Sequence, residues 1–235
     1  MEKNIIVTGG TKGIGRAIIN SFANEGFNII TCSRSNEDLL KLKKELESLH
    51  PEIKVFVQPA DLSQKNEVLK FIDFINKSVL HVDILVNNTG FFIPGQIANE
   101  TEGTLEKMIE TNLYSAYNLS RGVLPHMIKE KKGYIFNICS TASITAYTNG
   151  GSYCISKFAL YGMTKVLREE LKPFNIRVTS VLPGATLTES WVGVDLPVER
   201  FIKPEDIAES ILSAYKLSDR TVVEEILIRP QLGDL

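Results

Sequence analysis

The chain has 235 residues, 43% hydrophobic and 23% charged, a balance that fits one domain with a substantial core and excludes extended disorder. Its 26 basic and 28 acidic residues leave a net charge of −2, so charge offers no reason to expect nucleic acid or an anionic membrane as a partner. The three cysteines, Cys32, Cys139 and Cys154, show no CxxC spacing, which argues against a disulfide framework or zinc site and for a reducing compartment.

The opening MEKNIIVTGG runs straight into a strand pattern, without the basic segment, apolar core and cleavage site of a signal peptide. No apolar run approaches the ~20 residues that span a bilayer, so the expectation is a soluble, cytoplasmic protein. In chain order, NIIVTGG reads as a strand and GRAIINSFANEG as an amphipathic helix closed by Gly26. FNIITCSR is a second strand, followed by a helix, NEDLLKLKKELESLH, with Asn36 as its expected cap. KVFVQPADLS and VDILVNNTG are the third and fourth strands, with the helix KNEVLKFIDFINKS between them. A helical stretch over 101–130 precedes the fifth strand, GYIFNICS. A helix from near Tyr153 to about Leu171 comes next, then the strands IRVTSVLPG and EEILIRP. This alternation predicts a single α/β domain over 1–235, a doubly wound sheet of about seven parallel strands with helices on both faces. The least periodic long piece, 185–203, has the character of a substrate-binding lid.

TGGTKGIG places Gly9, Gly13 and Gly15 at the first strand-to-helix turn. Glycines there allow a tight turn and close approach of backbone N–H groups, and the helix amino end favours a pyrophosphate, as in Rossmann-like folds. The second strand ends in Ser33 and Arg34, where an acid would accept from the 2′-hydroxyl of NAD. With Lys12 in the glycine turn, two cations and no carboxylate suit a 2′-phosphate, so NADP(H) is favoured over NAD(H). The alternative is that Lys12 and Arg34 are solvated surface charges.

Tyr153 and Lys157, an i, i+4 pair, share one helical face. Such pairs are commonly surface packing, but Ser140 ends the fifth strand thirteen residues upstream, at the edge of the sheet where ligands bind. Gly150 and Gly151 allow the intervening loop to fold back. A free phenol is too weak an acid to exchange protons readily at neutral pH, and a cation beside it favours its ionised form. Ser140 would then donate to the substrate oxygen.

These residues resemble the short-chain dehydrogenases/reductases, in their single-domain form. The likeness rests on TGxxxGIG at Thr8–Gly15, NNTG at Asn87–Gly90, Asn112, Ser140, the YxxxK pair, and Pro183–Gly184 followed by Thr188. It implies that Tyr153 is the general acid/base, Lys157 its partner and a ligand of the nicotinamide ribose, and Ser140 the substrate-oxygen donor. It implies that Asn112 holds a water of a proton relay. Asp61 and Leu62 would meet the adenine, Asn88 and Gly90 would line the cofactor, and Thr11 and Ile14 would join the phosphate turn. Pro183, Gly184, Thr186 and Thr188 would face the nicotinamide, while Asn87 bonds neighbouring strands.

The implied reaction moves a hydride between nicotinamide and a small carbonyl or secondary alcohol. A nucleotide-binding regulator without turnover, or an isomerase or dehydratase, are the other readings. Phe91–Ile97, Thr141–Tyr147 and 185–201 would wall an apolar substrate pocket with no metal, favouring a hydrophobic or aromatic substrate. The resemblance also implies a homodimer or homotetramer built on the helices near 103–128 and 153–171.

Overall fold

The computed structural model describes residues 2–191, 193 and 195–235. Seven strands form one parallel sheet in the order β3-β2-β1-β4-β5-β6-β7. They are β1 (Asn4–Thr8), β2 (Asn28–Ser33), β3 (Val55–Pro59), β4 (Ile84–Asn87), β5 (Gly133–Ile138), β6 (Ile176–Pro183) and β7 (Glu225–Ile228). The middle strands are buried along their whole length, which explains their near-continuous apolar sequence.

Helices α1 (Gly13–Asn24), α2 (Asn36–Leu49) and α7 (Pro204–Lys216) cover one face, around Ile18, Phe22, Leu42, Leu46, Ile207 and Ile211. On the other lie α3 (Lys65–Ser78) and α5 (Ser115–Glu130), packed through Phe71, Ile75, Leu119 and Val123, with α6 (Gly151–Leu171) beside them. The winding therefore reverses between β1 and β4, where open sheets of this kind bind ligands. Because α7 shares the face of α1, the β6-to-β7 connection crosses with the opposite hand to the others, against the usual right-handed rule. The long excursion over 184–203 makes this possible by carrying the chain around the carboxyl ends of the strands.

Two local readings change. Ser35, rather than Asn36, caps α2, accepting from the Asp38 N–H at 3.2 Å. Helix α7 has no counterpart in the sequence reading, although Pro204 at its first turn, Glu205 and Asp206 after it and Lys216 in its last turn are ordinary helix signals. The 101–130 stretch is α4 (Thr104–Ile109), a π-helical turn (Glu110–Tyr114) and α5 in continuous succession.

Polar side chains cross-link the buried sheet. Asn87 Nδ2 donates to Asn137 Oδ1 at 2.7 Å and to Ser120 Oγ at 3.0 Å, and Asn137 donates onward to Thr164 Oγ1 at 2.9 Å. Asn87 thus bonds neighbouring elements. Asn87→Ala would leave Asn137 Oδ1 without its donor, and a loss of about 1–3 kcal/mol is expected, measured as a shift in the urea midpoint.

Candidate active site

The carboxyl ends of β1 to β6 open into one cavity of about 1200 Å³. Gly9, Thr11, Lys12, Gly13, Ile14, Ser33, Arg34, Asp61 and Leu62 line it, as do Asn88 and Gly90 at the centre. Ser140, Tyr153, Lys157, Pro183, Gly184, Thr186 and Thr188 line the rest. Of the sequence-derived site residues, only Gly15 and Asn112 stand behind its wall.

The glycine turn is shaped by close approach. Gly9 adopts a φ of 65°, which L side chains rarely take. A Cβ on Gly15 would fall 2.6 Å from Asn88 Nδ2 and against the Gly9 carbonyl. Asn88 occupies that space usefully: its Nδ2 donates to the Thr8 carbonyl at 2.8 Å, while Thr8 Oγ1 accepts from the Asn88 and Thr89 N–H groups, both at 2.9 Å. These bonds clamp β1 to β4 at the winding reversal and leave the turn open to a ligand. Asp61 Oδ1 accepts from the Ser63 N–H and hydroxyl, which holds the carboxylate at the far end of the cavity.

The two expected cations differ. Arg34 is exposed at the cavity edge. Lys12 pairs instead with Glu189 of the 185–203 segment at 2.8 Å, and this hydrogen bond raises its pKa. The pair is more than half exposed on both sides, so solvent screens it strongly. The segment itself is closed at its base by Leu187 N–H to Ile202 O and Ile202 N–H to Ala185 O, each 2.9 Å. Trp191 packs at a tilt on Phe201, the ring centroids 5.1 Å apart, and lines the cavity; Val192 and Val194 lie outside the described residues.

At the other end, Lys157 is 5% exposed, donates to the Ile138 carbonyl at 2.9 Å and lies 5.8 Å from the centre of the Tyr153 ring. An ammonium has three donors, so two are left for other acceptors at that place. The edge of Phe92 meets the Tyr153 ring at 4.9 Å. Ser140 caps a short 3-10 turn (Thr141–Ser143), its Oγ accepting from Ala142 N–H at 3.1 Å while its own N–H donates to Ser143 Oγ. That exchange fixes the serine hydroxyl at the cavity wall.

Asn112 sits in the π turn, 1% exposed. Its Oδ1 accepts from Phe91 N–H at 2.9 Å, and its Nδ2 donates to the Phe91 carbonyl and to Ser156 Oγ at 2.9 Å. The side chain is thus committed inside the protein.

Burial pushes Cys139 up to about 11 and Cys32 up to about 12, and Cys154 is also buried, so all three behave as small apolar groups. Burial, with Tyr153 and Cys154 nearby, holds Tyr147 at about 12; it remains a neutral donor on the cavity wall. Of the expected apolar walls, Phe91, Phe92, Pro94, Tyr147 and Trp191 line the cavity, whereas Ile97 and Ile144 do not. Asp234, ion-paired with Arg229, and Leu235 also line it, and neither carries a periodic signal by which the sequence reading could have found them.

The chain matches the short chain dehydrogenase family over residues 3–196 and belongs to it. It is therefore an oxidoreductase of the short-chain dehydrogenase/reductase class. Sepiapterin reductase of Chlorobaculum tepidum is 33% identical over 243 residues, covering 100% of this chain and 99% of that protein. The 3alpha-hydroxysteroid dehydrogenase of Mediterraneibacter gnavus is 32% identical over 236 residues, covering 96% and 94%. Among solved structures, the alcohol dehydrogenase of the archaeon Thermococcus sibiricus, complexed with 5-hydroxy-NADP, superposes with a TM-score of 0.93 at 26% identity, covering 100% and 99%. Among the described residues no helix is long and apolar enough to cross a membrane.

The turn makes a paired prediction. Gly15→Ala, whose methyl meets Asn88 and Gly9, is expected to lose about 1–3 kcal/mol by overpacking. Gly162→Ala in the middle of α6, where a Cβ meets nothing within 4 Å, is expected to gain about 0.5–1 kcal/mol. Chemical denaturation of the two variants checks both signs.

Proposed function

We propose that the chain is an NADPH-dependent carbonyl reductase, reversible as an alcohol dehydrogenase, in which Tyr153 moves the proton. One observation carries the reading: a single cavity runs from the glycine turn and Arg34 to Ser140, Tyr153 and Lys157. Its volume accommodates a dinucleotide and a small substrate together, and Gly9 and Gly13 line it at the turn where a pyrophosphate would lie close to the backbone.

Gly9 to Gly15 with Thr11 and Ile14 would hold the pyrophosphate. Asp61 and Leu62 would hold the adenine, and Ser33, Arg34 and Lys12 the 2′-phosphate. Asn88 and Gly90 would line the middle, and Pro183, Gly184, Thr186 and Thr188 the nicotinamide end. The 5-hydroxy-NADP of the Thermococcus sibiricus enzyme supports this preference. When bound, the nicotinamide supplies or accepts the hydride. Tyr153 Oη gives its proton to the substrate oxygen, Ser140 Oγ steadies that oxygen, and the Lys157 ammonium meets the charge left on the phenolate. The main chain around Asn112 and the free Lys157 donors would carry the replacement proton.

Phe92, Tyr147 and Trp191 fit an aromatic or hydrophobic substrate, and relatives named as a reductase and a hydroxysteroid dehydrogenase agree with carbonyl–alcohol chemistry. The segment 185–203 acts as the lid of one catalytic domain. Tyr114, Tyr117, Ile155 and Phe158, exposed on the helices expected to pair, support a homodimer or homotetramer.

Tyr153→Phe is expected to lower turnover by about 10²–10⁴-fold with NADPH affinity, read by fluorescence titration, unchanged; retained turnover refutes the mechanism. Arg34→Ala should weaken NADPH about tenfold or more, from a lost charged hydrogen bond, while NADH binding stays as it was. Equal losses for both cofactors would overturn the 2′-phosphate assignment.

A further inference from the structure

Helix α6 carries Tyr153, Ser156 and Lys157, yet its own sequence does not cap it. Gly150 precedes it without a side-chain hydrogen bond, and no acidic residue lies in its first turn. A long helix with orphan N–H groups at its start requires partners from elsewhere. Glu100, in the loop between β4 and α4, supplies one. Its Oε1 accepts from the Ser152 N–H at 2.8 Å, and its Oε2 accepts from the Ser152 hydroxyl.

The carboxylate sits in a slot shaped by two glycines. A Cβ on Gly151 would fall 2.9 Å from Glu100 Cδ and 2.7 Å from the Gly95 carbonyl, and one on Gly95 would fall 2.7 Å from Glu100 Cγ. Gly95 N–H donates to the Asn149 carbonyl at 3.0 Å, which closes the slot from the other side. Ser152, 2% exposed, immediately precedes Tyr153. The loop that holds Glu100 also presents Phe92 to the Tyr153 ring.

We propose that Glu100 is a positioning residue for Tyr153: by taking both donors of Ser152 it fixes the first turn of α6 and, with it, the phenol and the Phe92 wall. The carboxylate at the helix amino end also complements the helix dipole. The catalytic consequence rests on the proton-transfer reading of Tyr153; the hold on the first turn does not.

The test compares Glu100→Ala, Glu100→Gln and Ser152→Ala in the full chain. Amide hydrogen exchange of residues 151–157 is followed without ligand. Reduction of 1-phenyl-1,2-propanedione by NADPH is followed in parallel, with Tyr153→Phe as control. Glu100→Ala should speed first-turn exchange and lower kcat by about tenfold to 10²-fold, as misplacement of a catalytic group does, with NADPH affinity unchanged. Glu100→Gln keeps an acceptor for the Ser152 N–H and should restore most of both. Ser152→Ala, which removes only the hydroxyl arm, should fall between, and it decides the matter if Glu100→Ala does not fold. Unchanged exchange over 151–157, or a lower melting temperature with kcat intact, overturns the proposal. Should Tyr153→Phe stay active, or the wild type leave the diketone unreduced, the reading of the reaction fails instead, and exchange alone decides whether Glu100 holds the turn.

Discussion

Thr8 and Asn88 hold the carboxyl ends of β1 and β4 together at the place where the sheet reverses its winding. Three hydrogen bonds, two into the Thr8 hydroxyl and one into its carbonyl, continue the pairing of these adjacent strands past their ends. Connections that leave β1 and β4 in opposite directions part there, and the crevice that results is the cavity. Gly9 turns the chain away with a positive φ, and Gly15 lets Asn88 reach in. A side chain on Gly15 would collide with Asn88 and the Gly9 carbonyl and disturb this clamp.

The other half of the cavity hangs on α6. That helix is tied to its surroundings through side chains from distant segments: Lys157 to the Ile138 carbonyl, Ser156 to Asn112, and Ser152 to Glu100. Each bond involves a group at least part-buried, where an unpaired donor or acceptor is costly, so the ties define one position for the helix. Asn112 is placed for this by the π turn. The polar core between Asn87, Asn137 and Thr164 extends the same cross-linking into the sheet beneath.

Particular residues show how far the sequence could be read. The central strands were legible because buried parallel strands are apolar along their whole length, as in β4 and β5. The glycine turn and the Tyr153–Lys157 pair were legible because each is a local pattern at fixed spacing. Ser35 displaced Asn36 as the cap of α2 because adjacent polar residues compete within a single position of the boundary. Asn112 was expected at the site, but its side chain is committed to Phe91 and Ser156, which no spacing announces.

What the sequence alone determined was therefore the order and type of most elements, the glycine turn after β1, and the Tyr153–Lys157 pair on one helical face. All of these follow from patterns local in the chain: apolar runs, helical periodicity and fixed residue spacings. Only the tertiary structure decided that α7 lies on the face of α1, that Lys12 meets Glu189, and that Glu100 reaches Ser152 across 52 positions of sequence. Those pairings depend on where tertiary packing brings together segments distant in sequence, and periodicity carries no record of that.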